Sequence, residues 1–158
     1  MMEAYGRVSL SMKNIFKPDY EHYEGVRKIN IYLLRLLFIS MFLFLGAESW
    51  THILTFKGPW DPYYAAAFSV WASFSVLSVL GIIHPLKMLP LVMLEILYKV
   101  LWLILVAVPL WSTNQLVGSP VEYMVFAMGG GGLLALPIIA MPWKYAFEKY
   151  ILKGRVHE

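Results

Sequence analysis

Two opposite charges, Glu95 and Lys99, lie inside an otherwise apolar stretch, PLVMLEILYKVLWLILVAVPLW, which covers residues 90–111. An unpaired charge at the centre of a bilayer costs at least about 2.5 kcal/mol. In a helix, a spacing of four residues places both side chains on one face, with the glutamate N-terminal to the lysine, which is the more favourable order. The two side chains can therefore neutralise each other.

Two interpretations of this pair are open. The pair can be purely structural, with Lys99 reaching partly toward the head groups. Alternatively, it lines a polar cavity that handles a ligand or a proton, since intramembrane ionisable groups usually face the interior of a bundle. Arg35 is expected at roughly the depth of Glu95, where it can either form a bridge to that carboxylate or extend to the cytoplasmic head groups. We expect any ligand-binding site around Arg35, Glu95, Tyr98, Lys99 and Trp102. No catalytic residue can be assigned.

A run of four glycines, in the stretch MGGGGLL, is expected at about the depth of Lys99. It does not resemble a phosphate-binding loop, because such a loop follows a strand in water and ends in lysine and serine or threonine. Small residues let membrane helices approach closely, so we expect helix packing here, with a cavity as the alternative. Two serines on one face of the second apolar segment are expected to act similarly. The predicted packing or cavity residues are Ser69, Ser73, Gly129, Gly130, Gly131 and Gly132.

A weaker candidate for chemistry lies in the stretch GAESWTHILTFKGPWDP. Glu48 and His52 are one helical turn apart and, together with Asp61, have the side-chain types that bind a divalent metal or relay protons. No second histidine stands nearby, and an interfacial glutamate and histidine facing water are the favoured explanation of the pattern. We therefore expect no metal site here.

The composition indicates that these residues belong to a membrane protein. Apolar and aromatic residues make up 59% of the 158 residues and charged residues only 15%, whereas ordinary soluble domains have about 25% charged residues. The chain has no cysteine, which excludes disulfides and thiolate metal sites. Four apolar segments are long enough to cross a hydrocarbon core of about 30 Å. They cover approximately residues 30–50, 63–83, 89–111 and 121–141.

The fold predicted from these segments is an all-α membrane protein, an antiparallel four-helix transmembrane bundle forming a single domain over residues 1–158. Lysines and arginines are concentrated before the first segment and after the fourth; the loop between the second and third holds Lys87, the first loop holds only Lys57, and the loop from Ser112 to Pro120 holds none. Because basic loops stay in the cytoplasm, both termini are expected to be cytoplasmic. Residues 1–29 then form a cytoplasmic or interfacial segment, and residues 142–158 a cytoplasmic tail.

This asymmetry accounts for the small positive net charge of the chain, so no nucleic-acid partner is expected. The basic surface would instead favour the anionic head groups of membrane lipids. The sequence indicates no particular cofactor.

Several stretches resemble small uncharacterised four-span bacterial inner-membrane proteins. They are LRLLFISMFLFLGAESWTHI, GPWDP, GIIHPLKMLPLVMLEILYKVLWLILVAVPLW and MPWKY. The layout over most of residues 30–145 is similar to that of the DoxX-like group. The resemblance implies a bacterial inner membrane, and some members of that group are associated with quinone-linked redox complexes. The motifs are loose, and no catalytic residue of the group can be transferred to this chain.

The function expected from the sequence is non-enzymatic. The protein would be an accessory subunit or a binder of a hydrophobic small molecule, with a buried polar site, in a homo-oligomer or a larger membrane complex. One alternative is a membrane-embedded enzyme acting on a lipid or quinone, with Glu95 or Lys99 in proton transfer. A second is a small oligomeric transporter, which is disfavoured because four spans leave little room for alternating access without dimerisation.

Overall fold

The computed structural model describes residues 15–130 and 133–152, and these are mostly helical. Three helices in this part of the chain are long and apolar enough to cross a membrane: α1, Lys28–Thr55; α2, Pro62–Ile83; and α3, Leu89–Ser112. They confirm three of the four predicted apolar spans as helices. The fold is therefore compatible with an integral membrane protein.

The fourth predicted span, residues 121–141, is interrupted. Helix α4, Glu122–Val125, continues into a π-helical turn at Phe126–Gly130, and a separate helix, α5, covers Ala135–Ala140. The structure places Leu133 and Leu134 in a turn between these two parts. Glycine has a low helix propensity, so a run of glycines is a natural place for a helix to stop. Gly131 and Gly132 lie outside the described residues.

The two ends of the described chain meet. Strand β1, Pro18–Asp19, pairs antiparallel with β2, Val26–Arg27, and helix α6, Trp143–Phe147, is followed by a π-helical turn at Glu148–Leu152. The Tyr145 hydroxyl donates to Glu24 Oε2 at 2.7 Å, and Lys149 Nζ donates to the same oxygen at 3.3 Å.

Lys149 also donates to the Tyr145 hydroxyl, and this hydrogen bond is the main cause of a raised pKa of Lys149. The ammonium is thereby kept charged, so polar contacts fasten the turn between the two strands to the C-terminal segment.

Helices α1 and α2 approach each other closely at two glycines. A Cβ added at Gly81 would overlap the ring of Phe38, and one added at Gly46 would lie 3.2 Å from the Cβ of Ser75. Trp50 Nε1 donates to Ser75 Oγ at 3.1 Å, which adds a polar contact across the same interface. Small residues therefore set the distance between these helices, as is common in membrane proteins.

The small residues that α2 buries are not the predicted ones. Ser75 and Ser78 are buried, whereas Ser69 and Ser73 are exposed on another face of the helix. Ser73 Oγ donates to Ser69 O at 2.8 Å, so its hydroxyl is satisfied within the helix and needs no neighbour. The prediction that Ser69 and Ser73 pack inside the bundle is corrected, because α2 turns its Ser75, Ser78 and Gly81 side toward α1.

The buried apolar core joins α1 and α3 to the C-terminal part of the chain. Phe38 from α1, Leu89 and Val92 from α3, and Ala140 from α5 are fully buried in one cluster. Asn30 Nδ2 donates to Ala140 O at 3.1 Å, which ties the start of α1 to the end of α5. This attachment holds the interrupted fourth segment against the other helices.

Gly81→Ala is expected to lower the thermal unfolding temperature, because the added methyl group overlaps the Phe38 ring in a packed interface. Overpacking of this kind costs about 1–3 kcal/mol. Circular dichroism of the purified protein in detergent measures the effect. Ser73→Ala on the exposed face of the same helix is the control and should change little. Adding Phe38→Leu to Gly81→Ala should restore part of the loss; an unfolding temperature equal to wild type for Gly81→Ala alone would contradict this packing.

Candidate functional site

The candidate site is built around the charged pair on α3. Lys99 Nζ donates a hydrogen bond to Glu95 Oε1 at 2.8 Å. The two side chains are 10% and 5% exposed, respectively. The regular helix over Leu89–Trp102 positions both residues, since a separation of four residues stacks one side chain above the other.

A second acceptor for Lys99 comes from the interruption of the fourth segment. Lys99 Nζ donates to Leu133 O at 3.3 Å. Leu133 lies in the turn before α5, where its carbonyl is not committed to a regular helix. The amino group of Lys99 is thus shared between its own helix and the neighbouring segment.

The other oxygen of the carboxylate, Glu95 Oε2, is buried and has no hydrogen-bond partner among the described residues. A buried charged acceptor left without a partner is costly, by at least about 1–3 kcal/mol. Such an atom is an exception in folded proteins and usually has a functional or solvent-related explanation.

Beside the pair lies a cavity of about 430 Å³ between α1, α2, α3 and the fourth segment. Its volume falls in the range of small-molecule sites, about 300–1,000 Å³. Its walls are largely apolar, with the acidic, basic and phenolic groups of a few residues among them. The lining residues are Leu37, Ser40, Met41, Phe44, Leu45, Glu48, Trp71, Glu95, Tyr98, Lys99, Tyr123, Met124, Ala127, Met128, Leu133 and Leu136.

Two π-helical turns contribute to the walls of this cavity. The turn at Met41–Leu45 interrupts the α-helical pattern of α1, and the turn at Phe126–Gly130 follows α4. Each supplies lining residues. Turns of this kind are rare and frequently occur at functional sites, because the extra residue changes which side chains face inward. Sequence periodicity gives no signal for them, so the contribution of Phe44 and Ala127 was not predicted.

Of the five predicted ligand-binding residues, the structure brings three to the cavity: Glu95, Tyr98 and Lys99. Tyr98 also contacts Phe74 edge to face, with ring centroids 5.9 Å apart. Trp102 is half-buried on the same helix but is not among the lining residues.

Arg35 also lies away from the cavity lining. Within the described residues it forms no ion pair, and its Nε is buried without a hydrogen-bond partner. The possible bridge from Arg35 to Glu95 is therefore not formed, although Glu95 Oε2 has no partner among the described residues.

Gly129 supports close packing at the edge of the cavity. A Cβ added there would lie 2.8 Å from Leu103 Cδ1, so the absence of a side chain lets the fourth segment approach α3. The preceding residues Ala127 and Met128 line the cavity. Packing and cavity formation thus occur side by side in this segment. Gly130 ends the π-helical turn, and nothing further is described around it.

The weak metal candidate, Glu48 with His52 and Asp61, does not assemble. No group of three metal-ligating side chains occurs within residues 15–130 and 133–152. Asp61 Oδ1 instead accepts hydrogen bonds from Tyr63 N and Tyr64 N, each at 3.0 Å, and so caps the start of α2. The His52 ring stacks on the Phe68 ring, with ring centroids 4.1 Å apart. Glu48 lines the cavity, which the sequence did not indicate.

No family model, curated protein or solved structure matches the chain. The resemblance to DoxX-like proteins therefore stays a prediction.

Lys99→Met should strongly lower the folded yield and the unfolding temperature, because it leaves Glu95 buried without its partner. Breaking a buried pair costs about 3–5 kcal/mol. The double variant Glu95→Gln with Lys99→Met should recover much of this loss, since no lone charge remains. Size-exclusion chromatography in detergent and thermal unfolding provide the measurements. Lys144→Met removes a lysine that is 91% exposed and is the matched control. A double variant as unstable as Lys99→Met would contradict mutual neutralisation.

Proposed function

We propose that this chain is an integral membrane protein that binds an amphipathic small molecule in the cavity beside Glu95 and Lys99. Such a protein would act as a binding protein or as an accessory subunit of a membrane complex. The observation that carries the proposal is a cavity of about 430 Å³ whose apolar walls include a buried carboxylate and ammonium. Sites for small molecules combine largely apolar walls with a few polar groups that orient the ligand.

The unpartnered oxygen of Glu95 indicates that the polar part of the ligand would donate a hydrogen bond. Because Glu95 Oε2 is buried, the Glu95 side chain would turn toward the cavity to meet a hydrogen-bond donor of the ligand, while the apolar part of the ligand occupies the space next to Leu37, Phe44 and Leu136. The ligand would thus supply the partner that the protein lacks. In this proposal Glu95 and Lys99 form an intramembrane ion pair with both a stabilising and a binding role.

We further propose the full four-span topology, with antiparallel packing and both termini in the cytoplasm. Two contacts support opposite directions for α1 and α2: Phe38 meets Gly81, whereas Trp50, further along α1, meets Ser75, earlier in α2. The bond from Asn30 to Ala140 supports a fourth segment that returns to the side where α1 begins. The basic loops favour a cytoplasmic location of that side, in a bacterial inner membrane.

Cysteine accessibility can test this topology, because the natural chain contains no cysteine. A membrane-impermeant maleimide added to intact cells should label Gln115→Cys in the loop after α3. It should label Lys87→Cys and Lys144→Cys only after the membrane is permeabilised. The unmodified chain is the control and should remain unlabelled. Labelling of Lys87→Cys or Lys144→Cys in intact cells would overturn the proposed orientation.

Ligand binding can be tested by photolabelling the purified protein with 3-azioctanol, an octanol that carries a photoreactive diazirine. Labelling of the cavity residues should be saturable and should decrease in the presence of octanol. Ala127→Phe places a ring in the cavity and should lower this labelling about tenfold or more. Ala47→Phe adds the same ring at an exposed position of α1 and should leave the labelling unchanged. Equal labelling of both variants and wild type would contradict binding in the cavity.

A further inference from the structure

We infer that the ligand of this cavity is a lipophilic organic cation, a molecule that joins a positively charged nitrogen or phosphorus centre to apolar groups. This inference rests on the proposed function, because it names the chemical class of the molecule that the cavity takes. Three features of the lining residues carry it: the charge balance, the unpartnered carboxylate oxygen and the aromatic side chains.

The charges around the cavity do not balance. Its acidic and basic lining residues are two carboxylates, Glu48 and Glu95, and one ammonium, Lys99. Lys99 is already hydrogen-bonded to Glu95 Oε1 and Leu133 O. Glu48 is exposed and makes no ion pair or side-chain hydrogen bond within the described ranges. The cavity therefore presents one uncompensated negative charge, which attracts a cation.

Glu95, the buried carboxylate beside the cavity, also favours a cation. Glu95 is only 4% exposed, and its Oε2 has no hydrogen-bond partner among the described residues. An ionised carboxylate oxygen only accepts hydrogen bonds, so a cation or a donor satisfies it and an anion does not. An anionic ligand would have to draw Lys99 away from Glu95 and leave that carboxylate buried and unpaired, which is strongly unfavourable.

Aromatic residues supply the third feature. Trp71, Tyr98 and Tyr123 line the cavity together with Glu48. Aromatic rings attract cations through their negative faces, and this attraction is greatest for tryptophan and for desolvated cations. Aromatic and acidic side chains around one apolar space suit a cation whose charge is surrounded by hydrocarbon, because such a cation loses little hydration on entering.

The test compares two ions of nearly equal shape and opposite charge, tetraphenylphosphonium and tetraphenylborate. Binding to the full chain in neutral detergent micelles is measured by equilibrium dialysis. Binding in the cavity is defined as the part lost in Ala127→Phe and kept in Ala47→Phe. We expect cavity binding of the phosphonium and at least tenfold weaker cavity binding of the borate.

Glu48→Gln should weaken cavity binding of the phosphonium about three- to tenfold without weakening that of the borate. Glu21→Gln changes the net charge equally at a side chain that is 87% exposed and away from the cavity, so it should have no effect. The ratio between variants cancels partitioning of the ions into micelles, which is the same for each protein. Glu48 is exposed, so its substitution does not test folding.

The remaining outcomes separate the two proposals. Borate binding as tight as that of the phosphonium, or phosphonium binding that Glu48→Gln leaves unchanged, overturns the inference. Cavity labelling by 3-azioctanol with no cavity binding of the phosphonium also overturns it, while the proposed function stands. Absence of both 3-azioctanol labelling and phosphonium binding overturns both.

Discussion

The contact of Lys99 with Glu95 and with Leu133 O is the interaction on which the arrangement of this chain depends. A lysine in an apolar helix needs acceptors close by, because hydrocarbon supplies none. One acceptor comes from its own helix, one turn earlier. The other comes from a backbone carbonyl in the only interruption described within the fourth predicted span. The break after α4 leaves the carbonyl of Leu133 without a helical partner, and the ammonium of Lys99 on α3 donates to it.

The cavity follows from the same irregularities. A continuous helix satisfies its own backbone and packs evenly against its neighbours, whereas non-helical backbone at membrane depth must be enclosed by protein or face a polar space. Here the turn at Leu133 and the π-helical turns at Met41–Leu45 and Phe126–Gly130 all lie along the cavity wall. Glycine allows close contact on one side, at Leu103, while its neighbours leave space on the other. These irregular turns thus lie along the cavity, whereas Glu95 and Lys99 are on a regular stretch of α3.

Hydropathy and helical spacing alone predicted the three long helices and the position of Glu95 and Lys99 on one helix face. Both features depend only on the local sequence. They did not predict the orientation of α2. Ser69 and Ser73 form as good a small-residue face as Ser75 and Ser78, and only contact with Phe38 and Gly46 of α1 decides between them. Trp102 and Arg35 were predicted at the site because of their spacing and depth, yet neither residue is among those that line the cavity. Glu48 was missed because its role depends on a cavity made by four separate segments.

The two acceptors of Lys99 also differ in the time at which they become available during synthesis. A chain emerges from the ribosome N-terminus first, so α3 emerges before residue 133 does. Glu95 precedes Lys99 by one turn and has therefore already emerged when the lysine does. The intrahelical partner is therefore available to the lysine first, and the carbonyl of Leu133 becomes available later, with the fourth segment. The bond from Asn30 to Ala140 then joins the start of α1 to the end of α5.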